Sequence, residues 1–101
     1  MPELTDILTI GAGPAGLATA GCLAQRSLNP LVLERATQVG ASWRAHYERL
    51  HLHTVKTHSA LPGVAFPDAA PRYVPRQGVV DYLAGYVQHH GIAPVFGEEA
   101  I

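Results

Sequence analysis

Gly11-Ala12-Gly13-Pro14-Ala15-Gly16 is the stretch of this chain with the residue types and spacing to do chemistry. It follows the apolar run Ile7-Leu8-Thr9-Ile10 and leads into Leu17-Ala18-Thr19-Ala20. In that order it reads as strand, tight turn, helix. An acid, Glu34, closes a second apolar run, Leu31-Val32-Leu33, at about the 20-residue spacing that a dinucleotide fingerprint requires. Gly11 allows the sharp exit from the strand, Gly13 bares the backbone for close approach of a pyrophosphate, and Gly16 lets the helix pack tightly on the strand. The helix N-terminus supplies unpaired N–H groups and partial positive charge, which suit two phosphates. Pro14 fits the first helical turn, where its missing N–H would have had no intrahelical partner, and Ala15 stands beside it in the same cradle. The Glu34 carboxylate accepts hydrogen bonds from ribose hydroxyls and repels a 2′-phosphate. An adenine dinucleotide of the FAD or NAD kind is therefore expected here, in preference to NADP.

Other chemistry-bearing residues are weaker candidates. His51 and His53 share one face if their segment is a strand. No Asp, Glu or Cys cluster lies near them in sequence to complete a metal site, so no metal is expected. Lys56 reads as solvated or phosphate-facing. His89-His90 ends a helix, where a cation complements the dipole, and Glu98-Glu99 reads as a solvated turn. Cys22 is the single cysteine and falls among small residues of the first helix, which points to a buried apolar role. One cysteine allows no internal disulfide and no Cys-x-x-Cys, consistent with a reducing, cytoplasmic setting and against dithiol chemistry in this segment.

These residues need elements to position them. The pattern predicts strands at about 6–10 and 31–34, with a helix at about 14–25 between them, closing a right-handed parallel βαβ unit. A loop over 35–43 follows, then a short helical stretch at 42–49 and an alternating strand at 50–54. Pro62, Gly63, Pro67, Pro71 and Pro75 forbid a long helix or central strand. They predict an ordered covering loop over 61–75, anchored by Phe66 and Tyr73. Val79, Leu83, Tyr86 and Val87 give one apolar face to a helix at 76–90, Gly91 fits just past its end, and 92–96 reads as a third strand. The fold class is α/β: a Rossmann-like FAD-binding βαβ with a parallel sheet. A complete dinucleotide fold uses two βαβ halves. Residues 1–101 are therefore expected to form the N-terminal part of a larger FAD-binding domain. A net charge of −1 argues against nucleic acid as a partner. The acidic N-terminal residues Glu3 and Asp6 do not suit a signal peptide, and no apolar run reaches the roughly 20 residues of a membrane span.

Past the glycine turn, Leu33-Glu34-Arg35, Gly40-Ala41-Ser42-Trp43-Arg44 and Tyr47-Glu48-Arg49-Leu50-His51-Leu52-His53 form a specific pattern. With Lys56, Leu61-Pro62, Phe66-Pro67, Tyr73 and Val79-Val80-Asp81-Tyr82-Leu83, it resembles the flavin-containing monooxygenases, above all the YUCCA-like branch and its bacterial relatives. The resemblance covers nearly the whole chain. It implies FAD at Gly11–Gly16 with Glu34 on the adenosine ribose, and an enzyme that uses NADPH and dioxygen, with the NADPH site outside this chain. It implies a flavin hydroperoxide that oxygenates a small organic substrate at a nitrogen, sulfur, carbonyl or 2-oxo acid centre. Trp43 would wall the flavin, Arg44 would meet a phosphate and Arg35 would stack on adenine. The plain alternatives are a core indole and solvated guanidiniums. His53 stands where the YUCCA-like branch has a histidine near the flavin, and is the candidate catalytic residue; a structural histidine is the alternative.

The chain departs from the family pattern at Ala41-Ser42, where relatives often carry a second glycine. It departs again at Pro75, where they start the helix with Ser or Thr. The Phe-x-Gly-x-x-x-His signature and the second glycine fingerprint do not occur here. A catalytically inert dinucleotide-binding module, or another FAD/NAD(P)-dependent oxidoreductase, is the competing expectation.

Overall fold

In the computed structural model, residues 7–99 are described. The chain runs β1 (Leu8–Ile10), α1 (Pro14–Gln25), β2 (Leu31–Glu34), α2 (Ala41–Arg44), a 3-10 turn (Lys56–His58), α3 (Arg76–His90) and β3 (Val95–Phe96). The three strands form one parallel sheet with β2 in the middle. Leu8 lies opposite Leu31 and Ile10 opposite Leu33, while Leu33 also faces Val95. Strand alternation divides the sheet into two faces. Thr9 and Val32 are buried, and a Cβ placed on Gly16 would lie 3.6 Å from the Thr9 methyl, so this is the face under α1. Leu8 and Ile10 point the other way and stay 50% and 64% exposed. Parallel sheets are ordinarily covered on both faces; among the described residues one face is packed and the other open.

The two long helices have the predicted limits for identifiable reasons. Pro14 opens α1 without a side-chain cap, and past its end Ser27 adopts φ +60°. Pro75 precedes α3 without a side-chain cap, as the missing Ser or Thr implied. Gly91 closes α3 at φ +65°, its N–H reaching the Gln88 carbonyl and that of Ile92 the Val87 carbonyl. This pair of bonds is the glycine-dependent helix ending. The core is built between the helices and the sheet from Leu17, Ala20, Val32, Val74, Val79, Leu83 and Tyr86. Cys22, expected to be buried, is half-buried.

Several expectations are corrected. β1 begins at Leu8; the proposed start at Asp6 lies outside the described residues. The helix expected at 42–49 stops at Arg44, because residues 45–49 are all exposed and offer no apolar face to bury. β3 is only Val95–Phe96, since Pro94 has no N–H for a ladder. Phe66 is buried and stacks on Tyr82 with centroids 4.0 Å apart, but Tyr73 is exposed and Val74 fills the core in its place.

The strand expected at 50–54 is an irregular ribbon. Arg76 N–H donates to the Leu50 carbonyl at 2.7 Å, Leu52 N–H to Val74 at 2.9 Å, and Lys56 N–H to Arg72 at 2.8 Å. Between the last two bonds, His53, Thr54 and Val55 lie on one side and Tyr73 alone on the other, so the ribbon bulges at 53–55. The alternation was real, with Leu52 half-buried between exposed His51 and His53, but prolines at 71 and 75 deny the partner a continuous ladder.

Gly21 of α1 faces Tyr86 of α3 so closely that an added Cβ would overlap the phenol hydroxyl. Gly21→Ala is expected to cost about 1–3 kcal/mol through overpacking. Urea unfolding measures it; an unchanged midpoint would show that the helices do not approach at that distance.

Candidate dinucleotide site

The site begins where β1 runs out. Gly11 sits at φ +97°, a conformation that disfavours a side chain, and its N–H donates to the Leu33 carbonyl at 2.7 Å. This prolongs β1–β2 pairing by one residue before the chain turns. A Cβ on Gly16 would overlap the Gly11 carbonyl oxygen, so α1 starts directly on the strand end. At Gly13 the opposite holds: an added Cβ would meet nothing within 4 Å. The bare side of Gly13 faces open space. The first intrahelical bond is Leu17 N–H to the Gly13 carbonyl at 3.0 Å. The amides of Ala15 and Gly16 precede it and have no helical acceptor, while Pro14 contributes no N–H at all.

Glu34 ends β2 facing this turn. Its Oε1 accepts from Ala12 N–H and its Oε2 from Ala36 N–H, both at 2.8 Å. The carboxylate therefore ties the glycine turn to the turn after β2. These amides, Ala12 first and then Ala36, hold its pKa below the ordinary glutamate range. A carboxylate has about four acceptor positions, so two amide bonds leave room for ribose hydroxyls.

Two hollows flank Glu34. One of about 480 Å³ is lined by Gly13, Glu34, Arg35, Ala36, Ala41 and Ser42. The other, of about 310 Å³, is lined by Ile10, Gly11, Leu33, Glu34, Arg35, Glu98 and Glu99. Glu34 and Arg35 line both hollows, Gly13 only the first and Gly11 only the second; Pro14, Ala15 and Gly16 line neither. Arg35 is exposed and its Nη1 lies 3.8 Å from Glu99 Oε1, a loose surface pair of little energetic weight.

Trp43 and Arg44 are placed differently from these. Trp43 packs half-buried against the core, edge-on to His46 with centroids 6.0 Å apart, and lines neither hollow. Arg44 Nε donates to the Val39 carbonyl at 3.0 Å, and Arg76 Nη1 donates to the Arg44 carbonyl at 2.9 Å. These bonds brace α2 against the start of α3. His53 is exposed on the bulge, apart from both hollows.

Sequence reasoning missed Ala36, Ala41, Ser42 and the Glu98-Glu99 pair as wall residues. Ala36 acts through its amide, which has no side-chain signature. Glu98 is brought in by its N–H to the Glu34 carbonyl at 3.1 Å, a consequence of β3 pairing. Among the described residues, no group of three His, Cys, Asp or Glu could hold a metal ion, and no helix is long and apolar enough to cross a membrane.

A family model described as pyridine nucleotide-disulphide oxidoreductase matches residues 8–99. Indole-3-pyruvate monooxygenase YUCCA6 of Arabidopsis thaliana is 38% identical over 96 residues, covering 94% of this chain and 23% of that protein. Indole-3-pyruvate monooxygenase YUCCA1 of Oryza sativa subsp. japonica is 43% identical over 89 residues, covering 87% of this chain and 22% of its own length. A flavin-containing monooxygenase from Stenotrophomonas maltophilia superposes with a TM-score of 0.79 at 30% identity, over 90% of this chain and 28% of that structure. The chain spans about a quarter of the length of these relatives.

Because the folded-state pKa of Glu34 is depressed, its stabilisation is fully present above the unfolded value of about 4.3. It is lost as pH falls through the folded value. Glu34→Gln is expected to remove that acid-dependent component and to cost about 1 kcal/mol at neutral pH, the carboxylate being partly exposed. Urea unfolding of both proteins at about pH 7 and pH 3 measures it; coincident midpoints at neutral pH would mean that the two amide bonds contribute nothing.

Proposed function

The chain belongs to the pyridine nucleotide-disulphide oxidoreductase family, and from that membership we propose that it is the FAD-binding segment of a flavin-dependent, NADPH-using monooxygenase. The observation that carries the reading is the open backbone at Gly13 above the start of α1, with the Glu34 carboxylate on the far side of the same cleft. The names of the relatives, indole-3-pyruvate monooxygenase and flavin-containing monooxygenase, support oxygenation as the reaction.

The cleft fits FAD on its own terms. The amides of Ala15 and Gly16 and the positive end of the α1 dipole receive the pyrophosphate. Gly13 keeps side-chain atoms out of its path, and Ala41 and Ser42 form the opposing wall. The Glu34 carboxylate accepts from the ribose hydroxyls with its remaining lone pairs. Its negative charge, with Glu98 and Glu99 nearby, disfavours a 2′-phosphate, so this site takes the adenosine of FAD and leaves NADPH to a separate site. Arg35, lining both hollows, would meet the adenosine end. Trp43 supports the cleft from the core side, and Arg44 holds the Val39 carbonyl that leads into the wall. When bound and reduced by NADPH, FAD supplies activation of dioxygen and delivery of one oxygen atom to a small substrate. Such substrates are an amine, a thioether, or a carbonyl or 2-oxo acid. His53, lifted out by the bulge, is the candidate for a proton donor or substrate-orienting group beside the reacting ring, bulges being a common means of re-aiming a side chain at such sites. A cytoplasmic setting is part of the same reading, supported by the single cysteine of the chain.

In the intact protein, Gly13→Val is expected to lower bound FAD at least about tenfold, an amount reached by any loss of 1.4 kcal/mol in binding. Flavin absorbance per protein measures it, and wild-type flavin content would refute the assigned cradle. The oxygenation reading is tested with labelled dioxygen and NADPH on a panel of 2-oxo acids, thioethers and tertiary amines. Label in product supports it; NADPH oxidation without label in any product rejects it.

A further inference from the structure

The proline-rich segment 61–75 has a donor deficit. Pro62, Pro67, Pro71 and Pro75 carry carbonyls but no N–H groups, so the segment has fewer backbone donors than acceptors. Tyr82 and Tyr86 of α3 supply some: the Tyr82 hydroxyl donates to the Val64 carbonyl at 2.6 Å and the Tyr86 hydroxyl to that of Pro62 at 2.8 Å. In the far half three carbonyls share one side-chain donor. The Lys56 ammonium donates to the carbonyls of Ala70 at 2.7 Å, Asp68 at 2.8 Å and Pro67 at 3.3 Å. An ammonium has three N–H donors, and here all three have acceptors. Lys56 was expected to be solvated or phosphate-facing; it is instead turned into the loop.

The same residue also closes the bulge. Its backbone N–H donates to Arg72, the bond that ends the ribbon after His53–Val55. The bulge is held from inside as well: Ser59 Oγ donates to the Val55 carbonyl at 2.9 Å and accepts from the Thr54 hydroxyl at 2.6 Å. Main chain and side chain of Lys56 thus join two things that neighbouring sequence does not link, the conformation of residues 67–70 and the register of the segment bearing His53.

We infer that Lys56 is a positioning residue: its ammonium locks the proline-rich loop and, through the ribbon, fixes the bulge that presents His53. Neutral donors would serve the carbonyls less well, since hydrogen bonds from a charged group are roughly twice as strong. The functional half of this inference rests on the monooxygenase reading above; the loop-locking half does not.

The test uses the intact flavoprotein with Lys56→Met, which keeps the stem and removes every donor, and Lys56→Arg, which keeps charge and donors. Thermolysin cleavage within 64–70 is expected to accelerate about tenfold in Lys56→Met, because protease access tracks the open population. Lys56→Arg is expected to stay near the wild-type rate. Unchanged cleavage in Lys56→Met overturns the lock. Substrate turnover per bound flavin is expected to fall about fivefold or more in Lys56→Met and to recover in Lys56→Arg. Normalising to bound flavin separates positioning from simple loss of folded protein. A loop that opens while turnover per flavin stays at the wild-type value overturns the positioning role. If Lys56→Met does not fold, Lys56→Gln, with an uncharged amide donor, is read in the same way. Should the wild type show no oxygenation, the monooxygenase reading fails and the cleavage comparison still decides the lock.

Discussion

The contact between Gly16 and the Gly11 carbonyl is the constraint from which the rest of the structure follows. No side chain fits there, so the first turn of α1 rests on the end of β1. That closeness aims the Ala15 and Gly16 amides, and the helix dipole behind them, into the space beside the strand ends. It also brings Ala12 within 2.8 Å of a Glu34 oxygen. One missing methyl group thereby couples the strand–helix corner to the acidic end of the neighbouring strand. Glu34 extends the coupling by holding Ala36 with its second oxygen. The cleft is walled by backbone as much as by side chains.

A different economy operates on the other side of α3. There the chain is rich in proline and short of donors, and it is held by groups borrowed from outside: two tyrosine hydroxyls and one ammonium. These three side chains hold a segment with no regular structure against α3, where its Phe66 stacks on Tyr82. Such an arrangement concentrates stability in few bonds. Removing the Lys56 ammonium takes a charge-assisted donor from three carbonyls at once.

Legibility tracked how local each signal was. α1, β2 and α3 have the predicted limits because glycine, proline and hydrophobic period act within a turn of where they stand. The strand expected at 50–54 failed through its partner: its own alternation was sound, but prolines at 71 and 75 restrict the segment opposite, and the bulge arises from that mismatch. Tyr73 and Val74 exchanged roles because one residue of register decides which side chain of an extended segment meets the core. Trp43 and Arg44 were expected at the cofactor from the family resemblance, with a core indole and a solvated guanidinium as the alternatives. Their placement depends on how α2 packs against α3, which no short window of sequence encodes.

By itself the sequence determined the order of elements, the glycine turn at the end of β1, the acid at the end of β2 and membership of a dinucleotide-binding fold, since those rest on residue type at fixed short spacing. Only the tertiary structure decided that Glu34 clamps two backbone amides, that Ser42, Glu98 and Glu99 complete the walls, and that the Lys56 ammonium donates to three carbonyls of the proline-rich segment. Each of those joins residues far apart in the chain through backbone atoms that every residue type shares. A backbone amide has no letter in the sequence, so its partner becomes visible only when the chain is folded.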